Sequence, residues 1–209
     1  MYRSIIQNII ESESVYLDCL DTLIQYKKAL KSSTESTKPL LKSEQLECIF
    51  YQIPELFEMH KEFIVGVQDL SQSSGDNSII KVRTNTPTLG DLFKNLASQL
   101  EIYSKYLKNY SSALETLRIC CQQNEHFNEI AMSMKLKSQK ITTTLQELLH
   151  KPVARVQKNA LVLHDLLKYT AQNSEEYKSL QTALVLTQDF LNKLNIAATE
   201  QLFPVSVSI

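Results

Sequence analysis

Glycine is almost absent from this chain of 209 residues, which contains three glycines, five prolines and no tryptophan. Average usage of about 7 % would give roughly 15 glycines in a chain of this length. Gly66, Gly75 and Gly90 are isolated from one another. The chain therefore contains neither the G-x-G-x-x-G turn of a dinucleotide-binding fold nor a phosphate-binding G-x-x-x-x-G-K-[ST] loop. An all-β sandwich, which needs turn residues about every 8–12 positions, is also excluded.

The chain also lacks an excess of charge of either sign, with 22 Lys and Arg against 23 Asp and Glu. Domains that bind nucleic acid or membrane surfaces usually carry a basic excess, so the composition predicts neither partner. No run of about 18 apolar residues occurs, so no transmembrane helix is predicted. Residues 1–14 lack the basic region, the long apolar core and the cleavage site of a secretion signal.

Cysteine and histidine are present but form no pattern typical of a metal or catalytic site. The cysteines, none in a C-x-x-C pair, are Cys19, Cys48, Cys120 and Cys121. They indicate free thiols in a reducing compartment, so a cytoplasmic location is expected. The histidines, none with a partner at metal-ligand spacing, are His60, His126, His150 and His164. We expect no metal, no cofactor and no covalent catalysis, and we interpret His60, on an apolar stripe, as a core residue.

Apolar residues recur every three or four positions along most of the chain, which is the spacing of amphipathic helices. The first stripe predicts a helix over about 3–31. After a loop rich in Ser and Thr, Ser43 is the predicted N-cap of the next helix. Pro54 lies inside that second stripe and predicts a kink or a restart of the helix. Residues 69–88 are rich in Ser, Asn and Thr, and they are predicted to form a mobile loop between helices.

The longest apolar stripe begins at Leu89 and continues for more than forty residues without a strong break. It predicts one long helix, or two helices joined by a bend near Gln122–Asn124. A polar connector is predicted over 135–142.

Two capping signals mark the helices of the C-terminal third. Thr144 and Glu147 have the T-x-x-E spacing of a capping box and predict a helix start. Pro152 lies inside that helix and predicts a bend, and Ser174 is the predicted N-cap of the last helix. Five or six long helices around one core predict an all-α fold, an elongated bundle of about six helices. No repeat of 30 to 45 residues occurs, so a solenoid is not predicted.

Glu13 interrupts the apolar stripe of the first helix. It follows Ile9 by four positions and Ile10 by three, and it precedes Leu17 by four. A buried carboxylate is costly unless it is paired. Two interpretations stay open, a glutamate at the edge of the stripe that reaches solvent, and a carboxylate held on a surface that a partner covers.

A second charged feature lies after the capping box. Glu147, Lys151 and Arg155 are four positions apart and share one helix face, while Lys158 and Lys168 add positive charge along the same helix. In the simpler interpretation they form solvated ion pairs, each worth about 0.2–0.5 kcal/mol. However, the segment LLHKPVARVQKNALVLHDLLK places a leucine face opposite a face of Lys, Arg, His and Asp around a proline, which is an unusually ordered arrangement.

These segments resemble a known family in order along the chain. IIQNIIESESVYLDCL resembles the first conserved region of Dbl-homology domains, the exchange modules of guanine-nucleotide exchange factors for Rho-family GTPases. LQELLHKPVARVQKNALVLHDLLKYT resembles their third conserved region, and ALVLTQDFLNKLN resembles their last helix. IFYQIPELFEMHKEF and LGDLFKNLASQLEIYSKYLKNY resemble the Bcr/Abr group. The resemblance implies one domain over 1–198, with a tail over 199–209 that leads to an unseen segment.

The resemblance implies a bundle of about six helices in which the two conserved regions and the last helix form the GTPase-binding surface. The family's glutamate falls on Glu13, its lysine on Lys151 and its asparagine on Asn195, so these three residues are expected to meet on one face. Weaker candidates for the same surface are Arg155, Lys158, Asp165 and Lys168. The implied partner is a Rac- or Cdc42-like GTPase, free of nucleotide or bound to GDP.

The implied activity is binding without covalent chemistry. In the family the glutamate engages switch I, and the lysine and asparagine reshape switch II, which disturbs the Mg²⁺ site and the β-phosphate contacts. Glu13→Ala is therefore expected to lower exchange without unfolding the domain. The family's common P-[VI]-Q-R has Ala154 in place of glutamine, and its common aromatic-proline pair is Asn159 and Ala160 here.

These departures leave a second hypothesis open, a module that binds a GTPase or a scaffold but exchanges nucleotide weakly. In the family a pleckstrin-homology domain normally follows the exchange module. Membrane contact, including recruitment to the plasma membrane, is therefore expected only through neighbouring domains outside this sequence.

Overall fold

The computed structural model describes residues 2–34, 39–73, 87–136 and 142–202. Helices dominate these residues, and the all-α prediction is confirmed. In chain order they are α1 Tyr2–Thr34, α2 Ser43–Ile49, α3 Ile53–Ser73, α4 Leu89–Ser98, α5 Leu100–Gln123, α6 Glu125–Met132, α7 Leu145–Lys168 and α8 Glu175–Leu202. The two short strands, β1 Met134–Lys135 and β2 Thr142–Thr143, pair antiparallel with Met134 opposite Thr143.

The restart predicted at Pro54 is confirmed. Helix α2 ends at Ile49 and α3 begins at Ile53, with Gln52 between them at a φ of 59°. Pro54 is the second residue of α3, where the missing N–H would have no helical acceptor. The N-cap predicted at Ser43 is wrong, because Ser43 is already the first helical residue and Lys42 precedes the helix with an extended backbone.

The stripe from Leu89 forms three helices instead of one or two. The bend near Asn124 is confirmed, since its side-chain oxygen accepts a 2.9 Å hydrogen bond from the Phe127 N–H at the start of α6. A further break falls at Gln99, which ends α4 with a φ of −101° and a ψ of 11°. Neither glycine nor proline lies at that break, and the apolar period continues across it. The sequence pattern therefore does not show where α4 ends.

Both capping signals of the C-terminal third are confirmed. The Thr144 hydroxyl accepts from the Glu147 N–H at 3.1 Å, and the Glu147 carboxylate accepts from the Thr144 N–H at 3.0 Å. The Ser174 hydroxyl accepts from the Tyr177 N–H at 3.1 Å. Helix α7 continues through Pro152 to Lys168.

Four sequence predictions fall partly outside the described residues. Residues 35–38 of the Ser- and Thr-rich loop and residues 137–141 of the polar connector lie outside them, and two longer segments do so as well. Of the predicted loop 69–88, residues up to Ser73 are helical, Thr88 caps α4 and residues 74–86 lie outside the described ranges. Helix α8 continues past position 198 to Leu202, and the rest of the predicted tail lies outside them as well.

The helices pack around one apolar core, in which α1 contacts α3 and α7, and α8 contacts α4 and α7. Gly90 explains how closely α4 approaches α8. A Cβ atom at Gly90 would lie 2.7 Å from the Glu176 carbonyl oxygen and 2.9 Å from the Cβ atom of Ser179. Beside it, the Ser179 hydroxyl donates to the Asp91 carboxylate at 2.8 Å. The side chain that most other residues carry would force the two helices apart.

The four cysteines are free, as their spacing predicted. None of the described helices is long and apolar enough to span a membrane.

Candidate functional site

Glu13 lies inside the bundle, with 1 % of its surface exposed. One carboxylate oxygen, Oε2, lies 2.9 Å from Nδ1 of His60 on α3. The other, Oε1, accepts a hydrogen bond from Nη2 of Arg155 on α7. The carboxylate therefore joins three helices, and the interpretation that Glu13 reaches solvent is wrong. A buried acceptor of this kind is stabilised because both oxygens have donors.

Arg155 turns inward to meet Glu13, and 7 % of its surface is exposed. Its Nη1 donates to the Ser12 hydroxyl at 3.0 Å, and its guanidinium carbon lies 5.0 Å from the centre of the Tyr16 ring. Within the described part of the chain, Nε of Arg155 has no hydrogen-bond partner. A solvated ion pair of Arg155 along its own helix is therefore wrong, and Glu147 instead caps α7. Arg155 is buried against the Glu13 carboxylate but lines two cavities described below, and its part in a GTPase surface stays a prediction.

A chain of buried hydrogen bonds continues from Glu13 through His60, which is fully buried as predicted. Nε2 of His60 lies 2.8 Å from the Tyr103 hydroxyl, which lies 3.0 Å from the Tyr16 hydroxyl. Burial, and then the Arg155 charge, lower the pKa of His60 despite Glu13, so the ring is neutral at pH 7. Its Nδ1–H then donates to Glu13, Nε2 accepts from Tyr103, and Tyr16 donates to Tyr103.

The charge state of Glu13 follows from the same contacts. Burial alone would raise the pKa of the Glu13 carboxyl. The electrostatic attraction and the hydrogen bond of His60, and then the charge and hydrogen bond of Arg155, outweigh burial, so that pKa is lowered. Glu13 and Arg155 thus form one buried carboxylate–guanidinium pair with no net charge.

Two adjoining cavities lie along the contact between α1 and α7. The first, which we name the Glu13 cavity, has a volume of about 480 Å³ and is lined among others by Asn8, Ser12, Glu13, Arg155, Lys158 and Asp165. The second, the Lys151 cavity, has a volume of about 390 Å³ and is lined among others by Ser12, Cys19, Lys151, Ala154, Arg155 and Lys158. Three residues line both cavities, namely Ser12, Arg155 and Lys158.

The other predicted surface residues of α7 are exposed: Lys151, Lys158, Asp165 and Lys168. Asp165 and Lys168 form an exposed ion pair at 2.8 Å. Partial burial, and then the nearby Arg155 charge, lower the pKa of Lys158. Lys151 lines the Lys151 cavity, Lys158 lines both cavities, and Asp165 lines the Glu13 cavity.

Asn195 is exposed near the end of α8 and lines neither cavity. Helix α8 contacts α7, where the Gln188 amide nitrogen lies 3.2 Å from Nε2 of His164. The structure thus brings Glu13 and Lys151 to adjoining cavities, whereas the meeting of Asn195 with them stays a prediction.

Sequence reasoning missed the partners of Glu13. His60 was expected in the core, but nothing in its spacing connected it to Glu13, and Tyr103 belongs to a third helix. Tyr16 follows Glu13 by three positions and shares its helix face, which was the one available signal. No group of three His, Cys, Asp or Glu side chains in the described ranges could hold a metal ion.

Comparisons with known proteins agree on one family. The model of the RhoGEF domain family matches residues 5–195. The breakpoint cluster region protein of Rattus norvegicus is 38 % identical over 93 % of the chain, and the active breakpoint cluster region-related protein of Xenopus tropicalis is 35 % identical over the same share. The resemblance to the Bcr/Abr group is thereby confirmed. The chain spans 15 % and 22 % of the lengths of these two proteins.

The fold agrees with solved structures as well. The crystal structure of the DH domain of FARP2 superposes with a TM-score of 0.76 at 17 % identity, and the match covers 99 % of this chain and 96 % of that one. Since the family model spans nearly the whole chain, from residue 5 to residue 195, this protein belongs to the RhoGEF domain family.

Proposed function

We propose that this domain is a guanine-nucleotide exchange factor for a Rho-family small GTPase of the Rac or Cdc42 type. The observation that carries the proposal is the contact between α1 and α7, where Glu13 and Lys151 line adjoining cavities that share Ser12, Arg155 and Lys158. This arrangement supports the proposal, because the two family regions that are expected to bind the GTPase line adjoining cavities.

The proposed mechanism is binding to the GTPase without covalent chemistry. Glu13 engages switch I, and Lys151 and Asn195 reshape switch II, so that the GTPase loses Mg²⁺ and β-phosphate contacts. Because the domain prefers the nucleotide-free GTPase, linkage requires that its binding weakens nucleotide affinity by the same factor. Excess GTP in the cell then sets the direction of exchange.

The geometry of Glu13 supports a direct contact with the GTPase, even though the residue is buried. A carboxylate offers roughly four acceptor positions, and His60 and Arg155 occupy one on each oxygen. The remaining positions are available to a hydroxyl or N–H that enters the Glu13 cavity. Exposed Lys158 adds a positive charge to the Glu13 cavity, and exposed Lys151 adds one to the adjoining Lys151 cavity.

The experiment is release of a fluorescent GDP analogue from purified Rac-, Cdc42- and Rho-type GTPases, with a pull-down of each nucleotide-free GTPase in parallel. The proposal requires faster release from a Rac- or Cdc42-type GTPase. Release from a Rho-type GTPase alone would keep the exchange function and overturn the proposed preference.

A second candidate function is a module that binds a GTPase or a scaffold and exchanges weakly. The observation that favours it is Ala154, which is exposed and lines the Lys151 cavity where the family commonly has glutamine. Capture of a nucleotide-free GTPase without accelerated release would support this candidate over the first.

The proposed partner places the domain in the cytoplasm or at the inner face of the plasma membrane. Recruitment to that membrane would come from neighbouring domains outside this sequence.

A further inference from the structure

We infer that His60 is a positioning residue, which holds the Glu13 carboxylate in its orientation and charge state through the chain of hydrogen bonds to Tyr103 and Tyr16. This inference rests on the proposed function, because the group it positions is the one assigned to switch I. His60 itself is fully buried and touches no partner surface.

The orientation of the Glu13 carboxylate depends on having a donor on each oxygen. Arg155 donates to Oε1, and His60 lies 2.9 Å from Oε2. With Arg155 alone, the carboxylate could still rotate about its last side-chain bond. With both donors its plane is fixed, and the same acceptor positions remain for a donor that enters the Glu13 cavity.

The chain of hydrogen bonds continues on the far side of the His60 ring. At Nε2 the Tyr103 hydroxyl lies 2.8 Å away, and the Tyr16 hydroxyl lies 3.0 Å from Tyr103. Burial raises the pKa of both tyrosines, so both keep their protons. The ionised Glu13 carboxylate can only accept, so the ring proton lies on Nδ1 and faces Glu13, and Nε2 of the neutral ring accepts from the Tyr103 hydroxyl.

If His60 only filled space in the core, it would not need a polar ring or polar partners. The position lies on an apolar stripe, where an aliphatic side chain of similar size would fill the space without polar groups to satisfy. The structure instead uses four polar side chains from three helices, all at most 5 % exposed: Glu13, Tyr16, His60 and Tyr103. An arrangement of this kind specifies one orientation of one carboxylate.

The test uses two amide variants of His60, each of which replaces a different nitrogen of the ring. In His60→Asn the short amide can donate from the place of Nδ1 to Glu13. In His60→Gln the longer amide reaches the place of Nε2, so it contacts Tyr103 and leaves Oε2 of Glu13 without a donor. Both variants lose the ring and keep a neutral amide, so each is the control for the other.

Nucleotide release is measured against domain concentration, together with urea unfolding. We expect His60→Asn to keep most of the release activity and His60→Gln to lose about tenfold or more, the usual effect of one hydrogen bond to a charged group. Equal losses in both variants, in proportion to their lost stability, would show a structural role only and overturn the inference.

Carbon-13 NMR titration of the Glu13 carboxyl gives a readout that needs no GTPase. We expect its pKa to be higher in His60→Gln than in His60→Asn, and equal values would contradict the inference. If the wild-type domain released nucleotide from no GTPase, the proposed function would fail, and this titration would still decide whether His60 holds Glu13.

Two tyrosine variants provide an alternative test if the His60 variants do not fold. Tyr103→Phe removes the hydroxyl that donates to His60, and Tyr106→Phe removes a buried hydroxyl that donates to the Leu149 carbonyl at 2.5 Å. At matched stability, we expect Tyr103→Phe to lower nucleotide release more than Tyr106→Phe does. The reverse order, or equal effects, would overturn the inference.

Discussion

Arg155 on α7 pairs with Glu13 on α1 inside the bundle, although the two residues lie 142 positions apart in the chain. The residue assigned to switch I is therefore also one half of a buried ion pair. We therefore expect a substitution at Glu13 to change the stability of the fold and the proposed GTPase binding together. Lower exchange by Glu13→Ala stays a prediction, and we also expect a loss of stability, because that variant leaves a buried guanidinium without its carboxylate.

The first prediction concerns that ion pair. We expect Glu13→Met to lower the free energy of unfolding by about 3–5 kcal/mol, since it leaves Arg155 buried and unpaired. Adding Arg155→Met removes the stranded charge, so the double variant should recover most of the loss. Urea unfolding of the wild type, the single variants and the double variant measures both effects. A double variant less stable than Glu13→Met would contradict the pairing.

The second prediction is the dependence of stability on pH. Burial lowers the pKa of His60 in the folded protein below its ordinary value of 6.5. At a pH between the folded and the unfolded pKa, the unfolded chain therefore binds more protons than the folded one. Stability should therefore fall as the pH falls below about 6.5. The lowered pKa of Glu13 adds a loss of the same sign below its ordinary 4.5. Urea midpoints between pH 7.5 and 5.5 should decline in the wild type and stay flatter in His60→Asn.

The third prediction separates surface contact from stability. Lys151 is exposed and lines the Lys151 cavity, so Lys151→Glu should change stability by less than about 0.5 kcal/mol. It should strongly lower nucleotide release, because it places a negative charge on the proposed GTPase surface. Lys108→Glu makes the same charge change at an exposed position of α5 and is the matched control. Equal release by the two variants would show that Lys151 does not belong to the proposed GTPase surface.

The fourth prediction tests the departure at Ala154. Ala154→Gln supplies the polar side chain common in the family at an exposed position, so stability should change little. If the missing side chain limits exchange, this variant should release nucleotide faster than the wild type. Unchanged release with unchanged binding would show that Ala154 does not explain a weak activity.

The fifth prediction concerns the contact of α4 with α8. Gly90→Ala places a Cβ atom against the backbone of α8, which cannot give way, and should cost about 1–3 kcal/mol. Gly66→Ala is the comparison, because its Cβ atom would lie 2.7 Å from the end of the flexible Leu92 side chain. Thermal unfolding should show the larger loss for Gly90→Ala, and the opposite order would contradict the close approach of these helices.

Local signals predicted most of the helices correctly. The capping box at Thr144 and Glu147 and the N-cap at Ser174 were readable because each involves residues three positions apart. The break at Gln99 was not readable, since neither glycine nor proline lies there and the apolar period continues across it. A two-residue strand pair such as Met134 with Thr143 likewise has no period that a sequence pattern could show.

The site was predicted in part, for a similar reason. Glu13 was recognised as unusual because it interrupts an apolar stripe, but the stripe shows only that a partner is needed and not which one. Arg155 was placed on the surface because its charged neighbours lie on its own helix. Its real partner comes from α1, and only the folded arrangement of α1, α3 and α7 brings that carboxylate to it.

The most direct test of the account is the rate of fluorescent GDP release from the responsive GTPase, measured against domain concentration for the wild type, Lys151→Glu and Lys108→Glu. Release should rise to a plateau with the wild type and Lys108→Glu, and it should stay near the intrinsic rate with Lys151→Glu. Release by all three at the same rate, or no acceleration by the wild type of any Rho-family GTPase, would contradict it.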